Sequence, residues 1–93
     1  MNIRLDEALR LLGVWRTRQT SLDVHVFRSG VREHLHGTIQ EIQGTCVEVV
    51  ADSSEVRLDL RGAELNGDES SGAYLVCEFA NGDRYSFNLL RSK

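Results

Sequence analysis

From Leu22 to Leu90, apolar and polar residues alternate in short runs that are separated by glycine, asparagine, aspartate and serine. Alternation with a period of two puts apolar side chains on one face of an extended strand, and the separators are typical of turns. The pattern therefore predicts a mostly β fold made of antiparallel hairpins. Because the chain contains no proline, no predicted strand is interrupted by one.

About six strands are expected, and one helix precedes them. The helix is predicted over residues 3–12, with Asn2 as its N-cap and Gly13 as its stop. Its apolar stripe at helical spacing consists of Leu5, Ala8, Leu9 and Leu12, and Leu11 lies outside it. The strands are predicted over residues 21–28, 33–42, 45–51, 55–61, 73–80 and 84–90. Residues 61–72, which include three glycines and two serines, are expected to form the longest loop.

These elements predict a single α+β domain over residues 1–93, in which the sheet forms either a small barrel or a curved sheet. The helix is too narrow in its apolar face to stand alone, so it is expected to lie against the sheet, with Trp15 as a core anchor between the two. Cys77 alternates with apolar neighbours and is expected in the core, whereas alternation places Cys46 on the opposite face of its strand.

Charge and composition exclude several classes of function. The net charge of −3 opposes unspecific binding to nucleic acid or to an anionic membrane. No apolar run approaches the ~20 residues of a membrane span, and the first residues carry acids without the apolar core of a signal peptide. A cytoplasmic protein is expected. The two cysteines are too few for a disulfide framework and lack the spacing of paired metal ligands.

No residue pattern specifies a nucleophile with its base, a phosphate loop or a catalytic triad, so the sequence predicts a binding protein rather than an enzyme. The first hypothesis is a protein-interaction or self-assembly module that pairs with a protein partner or with itself as a homo-oligomer. Alternation places Val76 and Leu90 on the face away from the main core, and these two residues are the predicted centre of an interface.

A second hypothesis is metal binding by the three histidines. His34 and His36 lie two residues apart on one strand face, and hairpin pairing brings His25 opposite one of them. His25 pairs with His34 if the numbers of paired residues sum to 59, and with His36 if they sum to 61. Imidazoles are zinc ligands, so zinc is the predicted ion, with Asp23 or Glu33 as an additional or second-shell ligand.

A third hypothesis is binding of an anion or of single-stranded nucleic acid at a cationic rim, and a small barrel that binds a small ligand is the remaining alternative. The residues in question are Arg16, Arg18, Arg28, Arg32 and the outward-facing Phe27. Arginine beside an exposed aromatic side chain is how small barrels hold unpaired bases. The net negative charge of the chain opposes binding to nucleic acid. Nucleic acid is therefore a less favoured partner than another protein or a second copy of the chain.

Overall fold

The computed structural model describes residues 2–52, 54–68 and 72–89. One helix, α1 (Leu5–Arg18), precedes the strands. The first three strands are β1 (Leu22–Arg28), β2 (Val31–Gln43) and β3 (Cys46–Ala51). They are followed by β4 (Ser54–Asp59), β5 (Glu64–Gly67), β6 (Tyr74–Glu78) and β7 (Arg84–Leu89). The predicted mostly β class with one N-terminal helix is confirmed.

All seven strands belong to one antiparallel sheet in the order β4-β3-β2-β1-β7-β6-β5. Two meanders, β1 to β4 and β5 to β7, are joined side by side where β1 pairs with β7. The first hairpin turns at Ser29 and Gly30, whose φ angles of 52° and 77° give the two-residue turn that matches the twist of paired strands. This turn aligns Arg28 with Val31 and thereby sets the register of β1 and β2.

Strands β4 and β5 are the two edges of the sheet, although only residues 60–63 separate them in the chain. In a flat sheet of seven strands spaced by about 4.8 Å, these edges would lie about 29 Å apart. A link of four residues spans at most about 18 Å, since an extended chain advances about 3.6 Å per residue. The sheet is therefore strongly curved, and it does not close into a barrel within the described residues.

Helix α1 packs on the inner face of this curved sheet, against β2 and β5. Its buried side chains are Ala8, Leu11, Leu12 and Trp15, and they join the apolar residues of the strands in one core. Trp15 is 3% exposed, which confirms its predicted role as an anchor. The outer face of the sheet, on the side away from α1, carries most of the polar residues of the alternating strands, together with apolar residues such as Phe27 and Val76.

The predicted helix was wrong at both ends and in its stripe. Gly13 does not stop the helix, which continues to Arg18 and ends where Gln19 adopts a left-handed φ of 50°. Arg4, rather than Asn2, is the N-cap residue, and its N–H donates to Glu7 Oε1 at 2.9 Å. Leu11 is 4% exposed because the longer helix must bury the turn that leads to Trp15.

Seven strands are present where about six were expected, and the prediction of one long loop over residues 61–72 was wrong, since β5 lies inside that segment. Strand β2 also begins at Val31, two residues before the predicted start. The turn between β6 and β7 has the predicted odd length, because Glu78 pairs with Arg84 and leaves five residues between them. As expected, Cys77 is buried and Cys46 is exposed, and both are free thiols.

Candidate metal centre

Four polar side chains form a two-by-two block on the outer face of β1 and β2. Asp23 and His25 alternate on β1 with buried valines, while His34 and His36 occupy the same face of β2. The register pairs His25 with His34 and Asp23 with His36. Of the two registers that the sequence allowed, the structure therefore has the one in which paired numbers sum to 59, and all three histidines meet around one carboxylate.

The imidazole rings of the block lie in direct contact. His25 and His34 stack with a distance of 4.2 Å between ring centroids and an angle of 7° between ring planes. His36 meets His34 edge to face, with centroids 5.2 Å apart at 86°. The β3–β4 turn helps to place His36, because its backbone N–H donates to Asp52 Oδ2 at 3.3 Å and its carbonyl accepts from the Asp52 N–H at 2.9 Å.

Asp23 is the centre of this block. Its Oδ1 is hydrogen-bonded to His34 Nε2, and lies 3.4 Å from His36 Nε2. Its Oδ2 lies 3.5 Å from His25 Nε2. Desolvation alone raises the pKa of Asp23, but the hydrogen bond from His34 and the charges of the three imidazoles outweigh it, so the pKa is lowered from its ordinary value. Asp23 therefore stays ionised, which is the form that binds a metal.

The donor atoms are close enough together for one ion to bridge them. One ligand atom from each of Asp23, His25 and His34 can be chosen so that all lie within 4.8 Å of one another. Tetrahedral zinc with bonds of about 2.0–2.1 Å needs ligand atoms about 3.3 Å apart, so small rotations of exposed side chains are required. The three histidine side chains are about half exposed, at 47%, 53% and 57%, and these rotations meet little packing resistance.

Glu33, the alternative carboxylate, is not part of the block. It pairs in register with the buried Val26, on the other face of the sheet, and its Oε1 lies 3.9 Å from Arg28 Nη2. Of the two carboxylates considered as additional ligands, Asp23 therefore lies beside the histidines and Glu33 does not.

The predicted cationic rim does not form one cluster. Arg28 forms an ion pair with Glu33 on the inner face of the sheet, near the turn of the β1–β2 hairpin and away from Phe27. Arg16 Nε donates to the Gln40 carbonyl at 3.3 Å, and Gln40 lies eight residues along β2 from Arg32, or about 26 Å in an extended strand. Arg18 borders a separate shallow depression on α1. Of the predicted set, Arg32 and Phe27 alone share a groove.

That groove is also lined by residues that the sequence did not single out. Arg84 and Ser86 lie on the outer face of β7, where the β1–β7 pairing sets them opposite Phe27 and His25. Only the polar alternation of β7 marks them in the sequence, and it does not reveal which strand they face.

Of the two residues predicted at the centre of an interface, the structure describes Val76. Val76 is half-buried on the outer face of β6, and its cross-strand neighbours are the polar Ser86 and Asn66. Leu90 lies outside the described residues. Self-assembly centred on this pair stays a prediction.

Comparison of the chain with family models, with curated proteins and with solved structures gives no match. In the parts of the chain that the structure describes, no helix has the length and apolarity to cross a bilayer.

Proposed function

We propose that this protein is a binding domain for a divalent transition metal, with zinc as the first candidate. The ligands in this proposal are His25, His34 and Asp23, with His36 in reach as a fourth. The observation that carries it is the convergence of one donor atom each from Asp23, His25 and His34 within 4.8 Å on two hydrogen-bonded strands.

The choice of metal follows from the donor set. Imidazole nitrogen with one carboxylate oxygen suits zinc, and also nickel and copper, whereas magnesium and calcium prefer oxygen ligands alone. Copper binds most such sites more tightly than zinc, so selectivity depends on coordination geometry and on metal supply. An exposed block of this kind also leaves room for water to complete the coordination.

Placement on paired strands supports a stable site. The backbones of β1 and β2 are held by the hairpin, so the Cβ positions of the four residues are fixed before an ion arrives. Asp23 is already hydrogen-bonded to His34 and lies within 3.5 Å of a ring nitrogen of His25 and of His36. An ion that enters the block replaces the Asp23–His34 hydrogen bond by metal bonds, without reorganising the backbone.

Metal titration of tag-free, chelator-treated protein tests the proposal. We expect one zinc ion per chain by calorimetry and by elemental analysis after desalting. Cobalt(II) serves as a spectroscopic substitute, because its visible absorption reports the coordination number. His34→Gln should weaken zinc binding by more than the 10- to 100-fold that loss of a second-shell partner costs.

The matched control is Glu33→Gln, which neutralises a carboxylate on the same hairpin but on the other face. It should bind zinc like the wild type. Less than about a tenth of an equivalent of zinc, cobalt, nickel and copper in the wild type would overturn the proposal, since a specific site binds near one equivalent. Equal weakening by His34→Gln and Glu33→Gln would overturn it as well.

A further inference from the structure

A second group of side chains lies on the outer face, one row of paired residues from the metal centre. A groove of about 580 Å³ opens there, near the β1–β2 and β6–β7 turns. Its walls include Phe27, Arg32, Arg84, His25, Ser86 and Glu78. The groove thus combines an aromatic ring, two guanidinium groups and a hydroxyl in one place.

The strand registers arrange four of these residues in a row. Arg32 on β2 pairs with Phe27 on β1, which pairs with Arg84 on β7. Arg84 in turn pairs with Glu78 on β6. Since adjacent strands are about 4.8 Å apart, the two arginine backbones lie about 10 Å apart with the phenyl ring between them.

Phe27 is 37% exposed, one of four large apolar side chains that reach the surface in the described part of the chain. An exposed ring between two cations provides a surface on which another aromatic ring can stack. Among the described residues, neither Arg32 nor Arg84 has an acidic partner within ion-pair distance. Both guanidinium groups are therefore available to an incoming anion.

From this arrangement we infer that the groove binds a small aromatic anion. The ring of the ligand lies on Phe27, and its acidic group lies between the guanidinium groups of Arg32 and Arg84. Guanidinium binds carboxylate and phosphate with paired, charge-assisted hydrogen bonds, so either acidic group fits. This site does not depend on the proposed metal.

Two other residues that line the groove, Ser86 and Glu78, determine which anions it favours. Asn88 Nδ2 donates to Ser86 Oγ at 3.2 Å, which leaves the Ser86 O–H as a donor toward an anion. Glu78 carries the opposite charge at the end of the row and opposes the binding of strongly charged ligands. A ligand of low charge with an aromatic body is favoured over a polyanion.

Nuclear magnetic resonance titrations in the presence of a chelator test this site without any contribution from metal. The probes are phenyl phosphate and benzoate, with inorganic phosphate for the acidic group alone. We expect saturable shifts of the Phe27, Arg84 and Ser86 amides with the aromatic probes. Arg84→Gln and Arg32→Gln should each weaken phenyl phosphate about tenfold, the usual scale of a charge-assisted contact.

Three further variants separate this site from general electrostatic attraction. Phe27→Leu should weaken phenyl phosphate about tenfold, as loss of a stacking contact does, and leave inorganic phosphate unchanged. Glu78→Gln should strengthen binding. Arg18→Gln makes the same charge change on α1, outside the groove, and should have no effect.

No saturable shift with either aromatic probe would overturn the inference, even if zinc binds as proposed. Equal loss in Arg18→Gln and Arg84→Gln would do the same, because it would mean unspecific attraction. Binding of a single-stranded oligonucleotide without binding of phenyl phosphate would replace the small ligand by nucleic acid and also contradict the inference. Conversely, a failed zinc titration leaves these outcomes unaffected.

Discussion

At the scale of single residues, Asp23 decides what the three histidines can do. This carboxylate is hydrogen-bonded to His34 and lies 3.5 Å from His25 Nε2 and 3.4 Å from His36 Nε2, so it lies beside all three rings. The same negative charge lowers the electrostatic cost of placing a divalent cation among them. One aspartate therefore lies at the centre of the block, and in the proposed metal centre its charge would add to the affinity for the ion.

Asp23→Asn is expected to reduce zinc affinity by more than about 100-fold, because it removes the charge of a proposed ligand, whereas loss of a residue that only orients a histidine ligand costs about 10- to 100-fold. The amide keeps the size of the side chain but removes the charge. Isothermal titration of zinc into the variant measures the effect, and circular dichroism verifies that the fold is intact. Wild-type affinity in this variant would mean that the carboxylate is not part of the centre.

Cys77 gives a separate prediction for the core. Burial raises the pKa of its thiol to about 12 from an ordinary value of 9.0. Between these two pH values the unfolded chain releases a proton that the folded chain retains, so stability falls as pH rises. The expected slope is about −1.4 kcal/mol of unfolding free energy per pH unit.

Urea denaturation at several pH values between pH 8 and pH 11 measures this slope, because the range begins below the ordinary thiol pKa of 9.0 and extends above it. Cys77→Ala should lose the contribution and show a shallower fall above that pH. Cys46→Ala removes the exposed thiol and is the control. A shallower fall in Cys46→Ala but not in Cys77→Ala would contradict the assignment.

At the scale of elements, β2 bends the sheet. It is the longest strand, with 13 residues, and its register with β3 shifts between Ile39 and Glu41. Gly37 lies just before this bulge, at a point of very close approach to β3. A Cβ added to Gly37 would meet the Val50 carbonyl oxygen at 2.2 Å and Ala51 Cα at 2.6 Å. Glycine is thus required where the backbone of β3 approaches β2 this closely.

Gly37→Ala is expected to lower the free energy of unfolding by about 1–3 kcal/mol or more, because rigid backbone has to move to admit the methyl group. Gly13→Ala is the matched control, since nothing lies within 4 Å of a Cβ at that helical position. It should stabilise the protein by about 0.5–1 kcal/mol. Urea unfolding of both variants measures these changes in the free energy of unfolding. Wild-type stability of Gly37→Ala would contradict the predicted steric clash.

Prediction from sequence failed at two glycines, one where two strands approach closely and one inside the helix. Asn66 and Gly67 have the composition of a turn, yet they belong to β5, where a Cβ on Gly67 would lie 3.0 Å from the Tyr74 carbonyl oxygen. This glycine serves close packing between strands, which a local pattern does not report. Gly13 was expected to stop α1, but burial of Trp15 offsets the roughly 1 kcal/mol that glycine costs within a helix.

Prediction succeeded for the candidate site where it depended on neighbouring segments. The alternation on β1 and β2 placed the three histidines on one outer face, and a hairpin was sufficient to bring them together. Alternation did not decide the register, which the two-residue turn at Ser29 and Gly30 fixes. Arg84 and Ser86 were missed because β7 pairs with β1. These strands are far apart in the chain, and alternation does not predict which distant strands pair.

At the scale of the whole molecule, the two sheet edges differ in how they are protected. The N-terminal residues cover β5, where Asn2 bridges to Asn66 and the Ile3 N–H donates to the Leu65 carbonyl at 3.0 Å. Strand β4 has no such cover among the described residues, but its exposed positions alternate as Glu55, Arg57 and Asp59. Charges on an edge oppose pairing with another sheet, so self-assembly through edges is disfavoured.

Self-assembly through the outer face remains a prediction, and solution mass tests it. If Val76 is central to a homo-oligomer, light scattering of the wild type gives a multiple of the chain mass, and Val76→Asp reduces that multiple without unfolding the protein. The aspartate adds a charge at a half-buried position, where a dimer interface would desolvate it. A monomeric mass of the wild type at all concentrations would contradict the prediction.

The outer face also links the two proposed ligands, because His25 is a member of the metal block and a wall of the groove. Phe27 follows it by two residues, or about 7 Å along the strand. At that separation and near the dielectric constant of water, a divalent cation attracts phenyl phosphate, which carries close to two negative charges at pH 7, by about 2 kcal/mol. Zinc should therefore raise the affinity for phenyl phosphate roughly 30-fold, and linkage requires the same factor for zinc in the presence of phenyl phosphate.

Paired titrations measure this coupling, after correction for the zinc–phosphate complex that forms in free solution. His34→Gln should remove the enhancement by zinc while phenyl phosphate still binds in the presence of chelator. Mutually exclusive binding would instead mean that the anion engages the His25 ring or draws zinc out of the block. Since the two-by-two block and the groove share one strand, the sign of this coupling determines whether they act as one composite site or as two competing ones.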